Sequence, residues 1–206
     1  MIITYHGQAF VKVTHGDTTI AFNPPAKESG IKAPRFGADI VLVSMNDSAY
    51  NGAEQMAHGS KEPFVIDGPG EYEVGGIFIQ GVGVPSGSDA INTIYTLRLD
   101  DIMLVHVGLP RDAKIPEEGS SALEEVDVLF LPLFGGSDVA DAYALANALE
   151  PHIVVPLYDS ADKKDLLKRF LKESGEEGSV AVEKLSLKKK DLEGKEGEVV
   201  VLSVNN

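Results

Sequence analysis

The run Val41-Leu42-Val43-Ser44 is apolar until its last residue, and the chain then enters a polar loop over residues 45–52, MNDSAYNG. A buried strand that empties into a polar loop is a common place for binding groups, because the strand fixes the root of the loop. This loop offers the thioether of Met45, the amides of Asn46 and Asn51, the carboxylate of Asp47 and the phenol of Tyr50. Asp47 with Asn46 and Asn51 would make a small oxygen-only site, suited at most to a weakly held hard cation such as Mg²⁺ or Ca²⁺. The same residue types also hold turns and cap helices by bonding to their own backbone.

Other reactive types are sparse. His6, His15, His58 and His152 share no short metal-ligand spacing and read as structural or solvated side chains. There is no cysteine, which excludes disulfides and thiolate zinc sites. Gly68-Pro69-Gly70 and Gly135-Gly136 lack the strand–GxGxxG–helix context of a dinucleotide fingerprint. Ser120-Ser121 lacks the flanking glycines of a nucleophile elbow.

The elements that position these groups change rhythm along the chain. Short β-prone runs come first, over residues 1–5, 9–14, 18–22, 38–44, 63–67, 71–74, 77–82, 92–99 and 102–106. Residues 51–58 read as a short helix, and the glycine- and serine-rich stretch 81–92 reads as a loop. Residues 126–132 and 152–156 are continuous apolar runs, as in strands covered on both faces. Between and after them, residues 138–149 and 162–173 carry helical spacing, the first with Val139, Tyr143, Ala146 and Leu149 on one face. Residues 180–185 and 198–204 read as closing strands. Meanders followed by βα units define an α/β or α+β single domain over residues 1–206.

Composition narrows the function classes. With 32 acidic and 18 basic residues the formal charge is −14. Nucleic-acid binders present basic patches, and anionic membranes attract them, so neither partner is expected. The N-terminal MIITYHGQAF has no basic region followed by an apolar run, and no stretch of about 18 apolar residues would span a bilayer. The expected compartment is the cytoplasm, which the absence of cysteine fits.

Several signatures then occur in a fixed order: Tyr5-His6-Gly7-Gln8-Ala9-Phe10, Thr19-Ile20-Ala21-Phe22-Asn23-Pro24, Asp39-Ile40-Val41-Leu42-Val43-Ser44, Gly70-Glu71-Tyr72-Glu73-Val74, His106-Val107-Gly108, Val128-Leu129-Phe130-Leu131-Pro132 and Pro151-His152-Ile153-Val154-Val155-Pro156. In that order they resemble the metallo-β-lactamase-fold superfamily, and most nearly its small bacterial branch that includes sugar-lactone-cleaving hydrolases. The resemblance implies a four-layer αββα sandwich of two mixed sheets. It also implies a loop of pattern His-x-His-x-Asp-His after the strand that ends at Ser44. There, imidazoles and a carboxylate hold zinc, which lowers the pKa of a bound water to make a nucleophile.

Along that pattern the chain carries Met45, Asp47, Ala49 and Tyr50 where the family has His, His, Asp and His. His106-Val107-Gly108 leads to Leu109 where the family has a metal-bridging aspartate, and Tyr158 stands where a ligand histidine is expected. Asn23-Pro24 replaces Asp-Pro, and Gly7-Gln8 replaces Gly-His. The resemblance therefore implies a fold without its usual zinc, and no metal cofactor is expected. Two functions follow. One is a non-catalytic binding or assembly module that pairs with itself, with an active relative or with a small molecule at Met45, Asn46, Tyr50 and Asn51. The other is a divergent hydrolase of a small ester, lactone or phosphoester that uses Asp47, His106 and Tyr158. Tyr50 and Tyr158 are expected to turn into the former metal cavity and bond with Asp47.

Overall fold

In a computed structural model of the chain, residues 1–86, 90–109, 123–134, 138–158 and 164–205 are described. The first sheet is built from β1 (Ile2–Tyr5), β2 (Val11–His15), β3 (Thr18–Phe22), β4 (Ile40–Leu42), β5 (Phe64–Ile66) and the late β12 (Leu185–Ser186). The second contains β6 (Gly70–Val74), β7 (Ile77–Pro85), β8 (Ile91–Leu99), β9 (Ile102–His106), β10 (Val128–Pro132), β11 (Ile153–Leu157) and β13 (Glu198–Val199). Their orders are β12-β1-β2-β3-β4-β5 and β13-β11-β10-β9-β8-β7-β6. Each sheet is mixed. Antiparallel hairpins run into a parallel set, β3-β4-β5 in one sheet and β9-β10-β11-β13 in the other.

Local chemistry explains the hairpins. The links β6–β7 and β8–β9 are two-residue turns, Gly75-Gly76 and Asp100-Asp101, with all four residues at positive φ. That is the turn whose twist matches antiparallel strands. Alternation then sorts side chains. Ile3, Tyr5, Val11, Val13, Ile20, Phe22, Ile40 and Leu42 face the second sheet, while Ala21, Val41 and Val43 join Phe10, Ala38 and Met56 on the outer face. β10 and β11 are buried along their whole length, as expected for parallel strands covered on both sides.

The α layer lies on the second sheet: α1 (Val139–Leu149), packed on β10, and α2 (Lys164–Glu173), packed on α1. Asp138 caps α1 by accepting from the Val139 N–H and also takes the Arg169 guanidinium of α2 at 2.9 Å. The outer face of the first sheet is covered more thinly, by the 3-10 turns Lys27–Ser29 and Ala53–Met56 and the segment between β3 and β4.

Several sequence expectations are corrected. The helix expected over 51–58 is one 3-10 turn. Within the loop expected over 81–92, β7 runs on to Pro85 and β8 begins at Ile91, while residues 87–89 lie outside the described residues; Gly81 is a glycine for packing, since a Cβ there would lie 2.9 Å from Thr93 Cγ2 and 3.0 Å from the Gly68 carbonyl. The α1 face that is fully buried is Val139, Ala142, Leu145 and Ala146, with Tyr143 and Leu149 at its margin. The closing strands shrink to β12, β13 and single bridges at Val182–Leu202 and Tyr5–Val204. Ser120-Ser121, Gly135-Gly136 and the first residues of the 162–173 segment lie outside the described residues.

Candidate functional site: the strand tips

Parallel strands put their C-terminal ends at one end of a sandwich, and that is where α/β folds bind ligands. Here Asn23 follows β3, Ser44 follows β4, Val107-Gly108 follows β9 and Tyr158 follows β11. A network of neutral groups ties these tips together. Asn23, buried and held at φ 50°, accepts the Ser44 N–H at 2.7 Å, and its amide donates to Ser44 Oγ at 3.2 Å. The Ser44 carbonyl accepts from the Thr93 N–H of β8 at 2.8 Å, a direct bond between the two sheets. Asn92, beside it and fully buried, donates to the Val107 carbonyl at 2.9 Å and accepts the Leu109 N–H at 2.6 Å. Gly108 lies between them at φ 65°, and a Cβ there would stand 2.0 Å from Asn92 Oδ1 and 2.9 Å from Ser44 Cβ. Tyr95 closes the neighbouring gap, its hydroxyl 2.9 Å from the Val43 carbonyl and 3.1 Å from that of Ile66. Burial raises the pKa of this phenol, keeping it protonated as a donor.

His106 sits one layer deeper. Its Nε2 donates to the Ala9 carbonyl at 3.1 Å and its Nδ1 accepts the Gly108 N–H at 3.0 Å, so the ring is the neutral Nε2–H tautomer. It stacks on Phe22 with centroids 5.2 Å apart. Burial lowers its pKa from 6.5 to about 4, against the opposing pull of the Ala9 carbonyl.

The 45–52 loop is held by its own backbone. Asp47 Oδ1 accepts the Ala49 N–H at 2.9 Å, and the Asp47 carbonyl accepts from Tyr50 and Asn51. The Asn51 amide donates to Asn46 Oδ1 at 2.8 Å. Gly52 donates to the Pro24 carbonyl, and a Cβ on Gly52 would lie 2.2 Å from the Pro25 carbonyl oxygen. Asp47 and Asn46 are exposed, while Met45 and Tyr50 lean against the core. Tyr158 is buried. Its hydroxyl donates to the Leu202 carbonyl at 2.9 Å rather than to Asp47, and its backbone N–H donates to the Tyr5 hydroxyl at 2.7 Å. Burial raises the Tyr158 pKa as well.

Asp47, His106 and Tyr158 are therefore each committed to backbone groups, and among the described residues no hydrogen bond or ion pair joins them. Among the described residues no three His, Cys, Asp or Glu side chains converge on a metal-binding point. The donors at the tips do not fit a catalytic zinc, which takes three strong protein ligands. One exposed carboxylate is occupied in a turn, the Asn23 and Asn92 amides are bonded to Ser44 and to the backbone of Val107 and Leu109, Asn51 leaves one buried neutral amide oxygen without a partner among the described residues, and Met45 and Leu109 offer a thioether and an alkyl group. The Asn23–Ser44–Asn92–Gly108 network was not legible as a site. Its sequence signals are Asn23, which stands where the resemblance has an aspartate, and an amide, Asn92, amid the apolar positions of β8.

Two mixed sheets face to face, with the strand tips gathered at one end, define the metallo-β-lactamase fold. Residues 2–158 match the family described as a beta-lactamase superfamily domain, and the chain belongs to that family. It is similar to a candidate zinc-dependent hydrolase of the metallo-β-lactamase superfamily from Thermotoga maritima, at 25% identity and a TM-score of 0.77, over 98% of this chain and 97% of that one. It shares its fold with a candidate metal-dependent hydrolase from Parabacteroides distasonis (17% identity, TM-score 0.69, 98% and 93% covered). The fold is also that of a metallo hydrolase from the archaeon Ignicoccus hospitalis (17% identity, TM-score 0.61, 100% and 96% covered). No curated protein sequence matches the chain. Among the described residues no helix is long and apolar enough to cross a membrane.

Proposed function

We infer that this chain is a non-catalytic member of its family, a binding or assembly module rather than a metallohydrolase. The observation that carries this is the lack, among the described residues, of convergent imidazoles and carboxylates at the strand tips. The positions that match the family's ligands hold Met45, an Asp47 tied into its own turn, Ala49, Tyr50, Leu109 and a Tyr158 bonded to the Leu202 carbonyl, and beside them Asn23 is bonded to Ser44 and Asn92 to the backbone of Val107 and Leu109. Generating hydroxide at neutral pH needs a strong Lewis acid or a free base beside a water. Asp47 is tied into its turn, and the His106 ring has both nitrogens engaged and is fully buried. A substrate would have to break part of this network to reach either.

The test is a panel of p-nitrophenyl esters, sugar and acyl lactones and phosphoesters, assayed with purified protein, with and without added Zn²⁺, Mn²⁺ or Mg²⁺. The expected outcome is no rate above buffer. Turnover that saturates with substrate and vanishes in Asp47→Ala would establish the divergent hydrolase instead.

A further inference from the structure

The opposite end of the second sheet carries a cavity that the strand-tip network does not touch. It has a volume of about 590 Å³ and lies between α1, α2, the start of β11 and the segment before β13. That is within the range of small-molecule sites. Its floor is apolar: Phe170 of α2 and Tyr143 of α1 meet edge to face at 6.4 Å, beside Val154 and Val199.

Among the described residues, its rim carries two unpaired carboxylates and the C-terminus of α1. Glu150 and Glu196 both line it, are exposed, and have no ion-pair partner among the described residues. Lys195 also lines the cavity and is paired with Glu198. His152 also lines the cavity, and its Nδ1 lies 3.2 Å from the buried Asp127 carboxylate, which Lys189 Nζ meets at 2.8 Å. Lys195 and Lys189 are thus paired with carboxylates already there. Both helices also end at this rim, α1 at Asn147–Glu150 and α2 at Ser174; α2 carries Lys172 in its last turn, whereas α1 has no basic residue there. Helix C-termini carry partial negative charge and favour cations.

We propose that this cavity binds a small organic cation, an apolar or aromatic body carrying an ammonium group. The body fills the Phe170–Tyr143 floor, and the ammonium lies between Glu150, Glu196 and the α1 carbonyl end. The net charge of −14 draws such ligands toward the surface. The proposal goes beyond the function inferred above and does not rest on it, because the cavity shares no residue with the strand tips.

The test is a titration of the ¹⁵N-labelled full chain with phenethylamine and, separately, with its charge-reversed counterpart 3-phenylpropionate. Phenethylamine is expected to bind saturably, with a dissociation constant on the order of 1 mM as befits a fragment, and to shift amides of residues 143–154, 170–174 and 195–199. The anion is expected to leave those amides unmoved. Both carboxylates are exposed, so the double variant Glu150→Gln, Glu196→Gln will fold, and it should bind phenethylamine about five-fold more weakly or worse. Absence of saturable shifts, equal binding of the anion, or an unchanged affinity in the double variant would each overturn the proposal.

Discussion

Replacing Asn92 by Ala isolates the strand-tip network, because among the described residues the amide bonds to two buried backbone groups alone. Truncation leaves the Val107 carbonyl and the Leu109 N–H without partners where both residues are buried. Each orphaned buried group costs about 1–3 kcal/mol, and a water entering the vacated space would recover part of it, so a loss of about 2–4 kcal/mol is expected. The assay is urea unfolding at several pH values. The denaturation midpoint should fall with the slope unchanged, since the surface exposed on unfolding is the same. Asn92→Asp is the sharper companion. Its carboxylate still accepts the Leu109 N–H but sets a second oxygen against the Val107 carbonyl. It should be as destabilised as the alanine variant at about pH 7 and recover relative to wild type at the same pH once the carboxyl is protonated and can donate. An alanine variant that loses less than about 0.5 kcal/mol, or an aspartate variant equal to wild type near neutrality, would show that the network does not hold the tips.

Three further outcomes follow from the same geometry. Gly108→Ala forces a Cβ to 2.0 Å from Asn92 Oδ1 at a positive φ, and should cost about 3 kcal/mol or prevent folding, read by the same unfolding assay. The lowered pKa of His106 favours the neutral ring in the folded state, so its contribution is complete above pH 6.5 and drains away as pH falls through about 4. That contribution is about 3 kcal/mol, and His6, lowered for the same reason of burial, adds in the same sense. An NMR titration in which the His106 ring titrates near 6.5 would refute it. Restoring the loop donors with Met45→His, Asp47→His, Ala49→Asp and Tyr50→His should yield a chain that takes up zinc, because β4 still roots the loop. A folded variant that takes up none would show that the Asp47 turn has reshaped the loop.

How far the sequence revealed this arrangement depended on whether the deciding contact was local. β10 and β11 were legible because two-sided burial leaves an unbroken apolar run. The extension of β7 was hidden, since Gly81 and Gly83 carry the composition of a loop while their reason is the approach of Thr93 and Pro69 across the sheet. The donor types of the 45–52 loop could be read directly, and so could the mismatch with a zinc pattern. What filled their place could not. Asn23 and Ser44 are 21 residues apart. Gly108 meets both Ser44 and Asn92 through space, and no periodicity encodes that convergence. Tyr158 shows the same limit: its identity was legible, but its direction is set by the Leu202 carbonyl, 44 residues away.

The most direct measurement is the zinc content of the tag-free protein after equilibration with excess Zn²⁺ and passage over a desalting column, by elemental analysis against protein concentration. Neutral amides and one turn-bound carboxylate predict well below one ion per chain, none of it surviving a brief exposure to chelator. One or two zinc ions per chain that resist chelation would contradict the account, because the strand tips would then hold a metal centre through groups to which it assigns other partners.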